Sequence, residues 1–199
     1  MAEKSLEDIV KDAVKATGVE KPVCYDLGCG FSKIGLPEFV GLDYYAKADD
    51  ISFADLFASP WRVYDPYLTL EDNSVDVLYS SHFVEHIPDW NAFFTEAWRV
   101  LKPEGFFIIV TPYGTSNRAT QDPDHKQYIT EERYWYLSKE WRDLNKLSHY
   151  SAPVDFSIEG FMYDWHSDYR FKSDEAREFA KAHYRNVVND MAVVLRAKK

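Results

Sequence analysis

Apolar residues near the start of the chain recur at helical spacing. Leu6, Ile9, Val10, Ala13 and Val14 define one face, and Gly18 supplies a left-handed stop. The pattern then changes. Pro22-Val23-Cys24-Tyr25-Asp26-Leu27 is a short apolar run halted by Gly28 and Gly30, which predicts a buried parallel strand feeding a tight turn. Phe39–Asp43 predicts a second strand, Ile51–Asp55 a third and Ser74–Ser80 a fourth, the last preceded by the turn residues Glu71-Asp72-Asn73. The first two strands are separated by about ten residues including Pro37, too few for a regular crossover helix, so that crossover is expected to shrink to about one turn. Trp90, Phe93, Phe94, Ala97, Val100 and Leu101 predict a helix over 88–101. Lys102-Pro103-Glu104-Gly105 stops it before a fifth strand, Phe106–Val110. Beyond that, the pattern predicts a loop over 113–127, a helix over 130–146, a strand over 156–165, a helix near 173–184 and a last strand over 191–197.

This alternation implies an α/β fold: a Rossmann-like, mostly parallel sheet of seven strands with helices on both faces and an antiparallel last strand. In such sheets ligands bind beyond the carboxyl ends of the strands. The 199 residues suit one domain, 1–199, with no repeat or linker to divide it.

Composition narrows the possible partners. The net charge of −10, without a dense basic run, removes the usual electrostatic source of nucleic-acid affinity. No apolar run is long enough for a bilayer, and the charged amphipathic start lacks a signal-peptide core, so no membrane association and a cytoplasmic location are expected. Cys24 and Cys29 form neither a disulfide framework nor a metal-binding spacing. Aromatic residues make up 17% of the chain. Many of them crowd together, including Tyr134, Trp135, Tyr136, Trp141, Tyr163, Trp165 and Tyr169, and most are expected in the core.

The chemistry-bearing positions gather at predicted strand ends. Asp26-Leu27-Gly28-Cys29-Gly30 places an acceptor before two glycines that let the backbone approach a ligand closely. Asp43 ends the next strand, where a carboxylate can accept both hydroxyls of a ribose. A dinucleotide site shares these elements, but here Ser32 and Lys33 follow in place of a third glycine and a full helix able to receive a pyrophosphate.

With Val40-Gly41-Leu42-Asp43, Ser80-Ser81-His82-Phe83-Val84-Glu85-His86 and Arg99-Val100-Leu101-Lys102-Pro103-Glu104-Gly105 in the same order, the chain resembles the class I S-adenosylmethionine-dependent methyltransferases of the type 11-like branch over about residues 22–125. The resemblance implies S-adenosylmethionine as cofactor. Asp26, Gly28 and Gly30 would hold its methionine part, Asp43 the ribose, and Asp55 with Leu56 the adenine edge, with Tyr44 also binding the cofactor, while Ser81 and His82 close the site. Residues 113–150 and 166–186 would then be additions on the acceptor side.

The sulfonium already activates the methyl group, so the protein must mainly align an acceptor and exclude water. A hydroxyl acceptor needs a base, for which His125, within Asp122-Pro123-Asp124-His125, and His82 are candidates. Tyr113, directly after the fifth strand, is a third candidate for contact with the acceptor. The Asn/Asp-Pro-Pro-aromatic signature of exocyclic-amine DNA methyltransferases is absent, as is a cysteine placed for cytosine-C5 chemistry. A small molecule or glycan hydroxyl or amine is left by elimination. Two other functions stay open: a non-catalytic S-adenosylmethionine-binding protein, and a zinc-dependent hydrolase using His82-Glu85-His86 as H-x-x-E-H. The hydrolase motif needs a helix, whereas here it starts at a strand end and meets Pro88, so no metal site is expected.

Overall fold

The computed structural model describes residues 4–46, 48–64, 70–147, 149–150 and 153–199. Helix α1 (Leu6–Ala16) opens on a capping box, in which Ser5 and Asp8 satisfy each other's backbone N–H groups, and Gly18 follows its end at φ +67°. Strands β1 (Cys24–Leu27), β2 (Phe39–Asp43) and β3 (Ile51–Asp55) run parallel, and β1 is buried along its whole length. The two-residue strand β4 (Arg62–Val63) pairs antiparallel with β3, and β5 (Val75–Ser81) lies parallel to β1 on its other side. Helix α2 (Trp90–Val100) leads into β6 (Leu101–Pro112), parallel to β5. After the short helices α3 (Asn117–Gln121), α4 (Glu131–Trp135) and α5 (Lys139–Leu144) come β7 (Phe156–Trp165), α6 (Asp174–His183) and β8 (Val188–Ala197).

These strands form one sheet in the order β4-β3-β2-β1-β5-β6-β8-β7, with β8 antiparallel to both neighbours, as expected of the last strand. The direction of winding reverses between β1 and β5, which opens a crevice at their carboxyl ends. Among the described residues the sheet has eight strands rather than seven; the extra one is β4, too short for a periodic signal to reveal.

Local departures from the sequence reading have identifiable causes. Residues 28–38 contain no helix at all, since Pro37 and the bond from the Ile34 N–H to Asp26 fix them as turns. The expected helix over 130–146 breaks into α4 and α5 because Ser138 recaps the chain, accepting from the Trp141 N–H while the Lys139 N–H donates to Asp155. The 113–127 loop contains α3, capped by Ser116. The expected turn at 102–105 survives as a bulge within β6: Val75 pairs with Leu101 but Val77 pairs with Phe106, and Glu104 stands at φ +65°.

The two faces of the sheet are covered unequally. On one, α2 buries Trp90, Phe93, Phe94 and Ala97 against Phe107, Tyr134, Phe156 and Trp165. Burial of a phenylalanine such as Phe94 contributes roughly 2–3 kcal/mol. The other face, built on Phe39, Val77, Tyr79, Ile108 and Val110, is covered among the described helices by α1 through Val10 and Ala13. Of the crowded aromatics, Tyr134 and Trp165 are core, whereas Tyr136 is exposed and the others are half-buried. Among the described residues no helix is long and apolar enough to cross a membrane.

Candidate functional site

The site is organised around the loop that replaces the first crossover helix. Gly28 and Gly30 stand at φ +64° and +54°, the left-handed region in which glycine carries no steric penalty. The Gly28 N–H donates to the Leu42 carbonyl (2.7 Å), tying the loop to β2. Two carboxylates then brace it from the strand ends. Oδ2 of Asp26 accepts from the Ile34 N–H at 2.7 Å, and Oδ2 of Asp43 accepts from the Gly30 N–H at 2.9 Å. Oδ1 of Asp43 accepts two more backbone bonds, from Tyr45 (2.7 Å) and Ala46 (2.8 Å). The two acids therefore converge on one loop, as their positions on neighbouring strands imply.

Asp26 is only 2% exposed, and its Oδ1 is sealed from solvent without a hydrogen-bond partner. Burial pushes its pKa up to about 7, against the lowering effect of the Ile34 bond and of Lys33. A buried carboxylate in this condition is a ready counter-group for a cation. The ammonium of a methionine moiety fits that need, and at Gly30 a Cβ would meet nothing within 4 Å, so the backbone lies open to a ligand.

Above the loop is a cavity of about 530 Å³, lined by Gly28, Gly30, Asp43, Tyr44 and His82 among the expected residues. The sequence reading did not single out Phe31, Tyr45, Phe57 and Phe83, which supply aromatic surface, or Asp124 and Lys126, which also line the cavity. Phe57 and Phe83 stack with centroids 5.6 Å apart, making a flat apolar wall suited to a planar base. Adjacency was the available signal: Phe57 directly follows Asp55-Leu56 and Phe31 follows Gly30.

Other expected residues lie at or behind this wall. Ser81 ends β5 and Leu56 is buried next to Phe57, but neither lines the cavity; Asp55 accepts the Phe57 and Ala58 N–H groups through Oδ1. His82, at φ +54°, has Nδ1 3.5 Å from Oε1 of Glu85, and hydrogen bonding to that carboxylate raises its pKa. The helix required by an H-x-x-E-H zinc motif is not formed, since Val84–His86 make a single 3₁₀ turn. His125 sits behind His86, with ring centroids 4.8 Å apart.

Tyr113 stands apart from the cavity. It is 5% exposed, and its hydroxyl donates to Oε2 of Glu131 (2.9 Å), whose Oε1 accepts from Tyr163 (2.5 Å) and Lys181 (2.8 Å). Burial and the Glu131 carboxylate both push the Tyr113 hydroxyl pKa up, away from any acid–base use. Tyr113→Phe should therefore lower stability by about 1 kcal/mol, roughly 2–4 °C in a thermal melt. Calorimetric titration should find its affinity for S-adenosylmethionine unchanged.

Residues 25–109 match the family described as a methyltransferase domain. Over 75 residues the chain is 34% identical to phosphoethanolamine N-methyltransferase 2 of Caenorhabditis elegans, covering 37% of this chain and 17% of that protein. Over 89 residues it is 37% identical to a protein of Mycolicibacterium smegmatis named as a probable S-adenosylmethionine-dependent methyltransferase, covering 42% and 32% respectively. The chain thus spans a third or less of the curated relatives it matches. In fold the similarity extends further. An S-adenosylmethionine-dependent methyltransferase structure from Methanosarcina mazei superposes with a TM-score of 0.57 at 15% identity, covering 98% of this chain and 99% of that one. By sequence, residues 25–109 are similar to the methyltransferase-domain family, and over nearly its whole length the chain has the fold of S-adenosylmethionine-dependent methyltransferase structures.

Proposed function

We propose that the protein binds S-adenosylmethionine in the cavity above residues 28–34 and transfers its methyl group to a small-molecule or glycan hydroxyl or amine. The observation that carries this reading is the convergence of Asp26 and Asp43 on a loop containing two left-handed glycines, at the reversal point of the sheet. The bound cofactor supplies an electrophilic methyl on its sulfonium. Asp26, Gly28 and Gly30 hold the methionine end, with Asp26 balancing its ammonium. Asp43, with Tyr44 beside it, holds the ribose; the three backbone bonds to its carboxylate leave lone-pair capacity on Oδ2. Asp55 and Leu56 position the adenine edge, and the Phe57–Phe83 wall covers its face.

Ser81 and His82 border the acceptor side. Its hydrogen bond to Glu85 favours the protonated form of His82, which suits it to orienting an acceptor oxygen more than to removing a proton. Residues 113–150 and 166–186 frame that side of the domain. The similarity to a protein named phosphoethanolamine N-methyltransferase supports a small acceptor. The net charge of −10 argues against nucleic acid. Two buried free thiols, Cys24 and Cys29, suit a cytoplasmic setting.

Asp43→Ala tests the ribose assignment. Calorimetry should show S-adenosylmethionine bound about tenfold more weakly, since a charge-assisted bond to the ligand is worth roughly 1.5–3 kcal/mol before relaxation. Unchanged affinity would remove Asp43 from the site. Formation of S-adenosylhomocysteine with a panel of small hydroxyl and amine acceptors tests turnover; cofactor binding without turnover on any acceptor would favour the non-catalytic alternative.

A further inference from the structure

A second set of chemistry-bearing side chains adjoins the cavity, of which the reading above uses only Glu85, as the partner of His82. Glu85, His86 and His125 bring one ligand atom each within 4.8 Å of one another. They come from two segments far apart in sequence, the 3₁₀ turn after β5 and the loop after α3. The segments are held together by main chain: the N–H groups of Lys126 and Gln127 both donate to the Glu85 carbonyl (2.7 and 3.0 Å), and the Gln127 side chain donates to the Ile87 carbonyl (2.8 Å). The cluster is thus built on a braced junction rather than on a free loop.

Each member is prepared for coordination in its own way. Nδ1 of His125 lies 2.8 Å from the Ala119 carbonyl. A carbonyl only accepts, so Nδ1 carries the proton and Nε2 presents its lone pair, an arrangement common to metal-ligating histidines. The His125 side chain is 7% exposed, and Oδ2 of Asp122 is 3.8 Å from Nε2. Glu85 is 2% exposed, and its Oε2 is sealed from solvent with no hydrogen-bond partner. The His86 ring packs against His125 and makes no hydrogen bond among the described residues. Loop anchoring accounts for the backbone bonds. It does not account for an unpartnered buried carboxylate oxygen beside two imidazoles, a costly grouping unless a cation joins it.

We propose that Glu85, His86 and His125 bind a divalent transition-metal ion of the Zn²⁺ type, with Asp122 within reach as a fourth ligand. Two imidazoles and a carboxylate suit such ions and not Mg²⁺, which prefers oxygen ligands and retained waters. With bonds of about 2.0 Å, a tetrahedral site has ligand atoms about 3.3 Å apart, so ligand pairs that now stand up to 4.8 Å apart contract by up to about 1.5 Å on binding. The ligand set differs from that of H-x-x-E-H peptidases: His82 is left out, Glu85 coordinates instead of activating water, and His125 enters. This revises the expectation of no metal and gives His125 a ligand's role in place of a base's. His86 also lines the cavity, so the ion would stand at its wall, where an acceptor oxygen could meet it.

The test needs no methyl donor, so its outcome is independent of the methyltransferase reading. Protein freed of metal with a chelator is titrated with Zn²⁺ by calorimetry and with Co²⁺ by visible absorption, which reports coordination directly. One equivalent of each should bind, with Mg²⁺ not competing. His86→Ala and His125→Ala should each weaken binding by at least about tenfold, and His82→Ala by less than about threefold. Thermal melts confirm that the variants are folded. Absence of a stoichiometric site, affinity unaffected by both His86→Ala and His125→Ala, or loss on His82→Ala equal to that on His86→Ala would each overturn the proposal.

Discussion

Without cofactor, Asp26→Asn is expected to gain stability relative to the native protein as pH rises, the difference growing by about 2–3 kcal/mol between pH 5 and pH 8. The Asp26 pKa is raised by burial from 3.8 to about 7. Below pH 3.8 the native and unfolded states are both protonated and the group contributes nothing. Between 3.8 and about 7 the unfolded chain releases its proton while the native state retains it, so each pH unit favours unfolding by about 1.4 kcal/mol. Above pH 7 the penalty is complete. Asparagine carries no such penalty and can still accept from the Ile34 N–H. On the proposed reading S-adenosylmethionine reverses the order, because its ammonium compensates the ionised carboxylate, and native affinity falls about tenfold per pH unit below 7. Melts of both proteins from pH 5 to 8, with and without the cofactor, check this. Parallel apo curves would show that Asp26 ionises in the ordinary carboxylate range.

The second large effect separates two glycines that look alike in sequence. In Gly28→Ala the new Cβ would lie 2.1 Å from Cγ and 2.6 Å from Cβ of Phe83, near the root of a side chain packed against Phe57 and Phe93. The φ of +64° adds about 1–2 kcal/mol of backbone strain to about 1–3 kcal/mol of overpacking. The expected loss of about 3 kcal/mol is a fall of roughly 6–12 °C in melting temperature. Gly30→Ala meets no atom within 4 Å, so only the strain applies, about 1–2 kcal/mol. Its methyl group points into space the cofactor would use, and its main effect should appear as weakened S-adenosylmethionine binding in calorimetry. Equal melting temperatures for the two variants would contradict the packing of Phe83 beneath Gly28.

What the sequence disclosed follows from the range of each physical signal. β2, β3 and β7 were legible to the residue because their apolar runs are bounded by turn residues or a polar strand end. The convergence of Asp26 and Asp43 on one loop followed from their standing at the carboxyl ends of adjacent strands. Interactions between segments distant in sequence were not legible. Neither the bond from Tyr113 to Glu131 nor the seating of Glu85 against residues 125–127 leaves a periodic trace. The break between α4 and α5 hinges on one serine, whose capping role depends on Asp155 lying beside it. The aromatic wall was missed because Phe57 and Phe83 meet only after β3 and β5 take their places in the sheet.

The fixation of Asp43 by three main-chain amides bears on how the protein would turn over. Its torsions are already frozen, so gripping a nucleoside costs it little rotamer entropy. On the proposed reading that grip does not discriminate, because donor and demethylated by-product carry the same sugar and base. Preference for the fresh donor, and release of the spent one, must then arise at the sulfur and the adjoining amino-acid end, above the buried charge of Asp26.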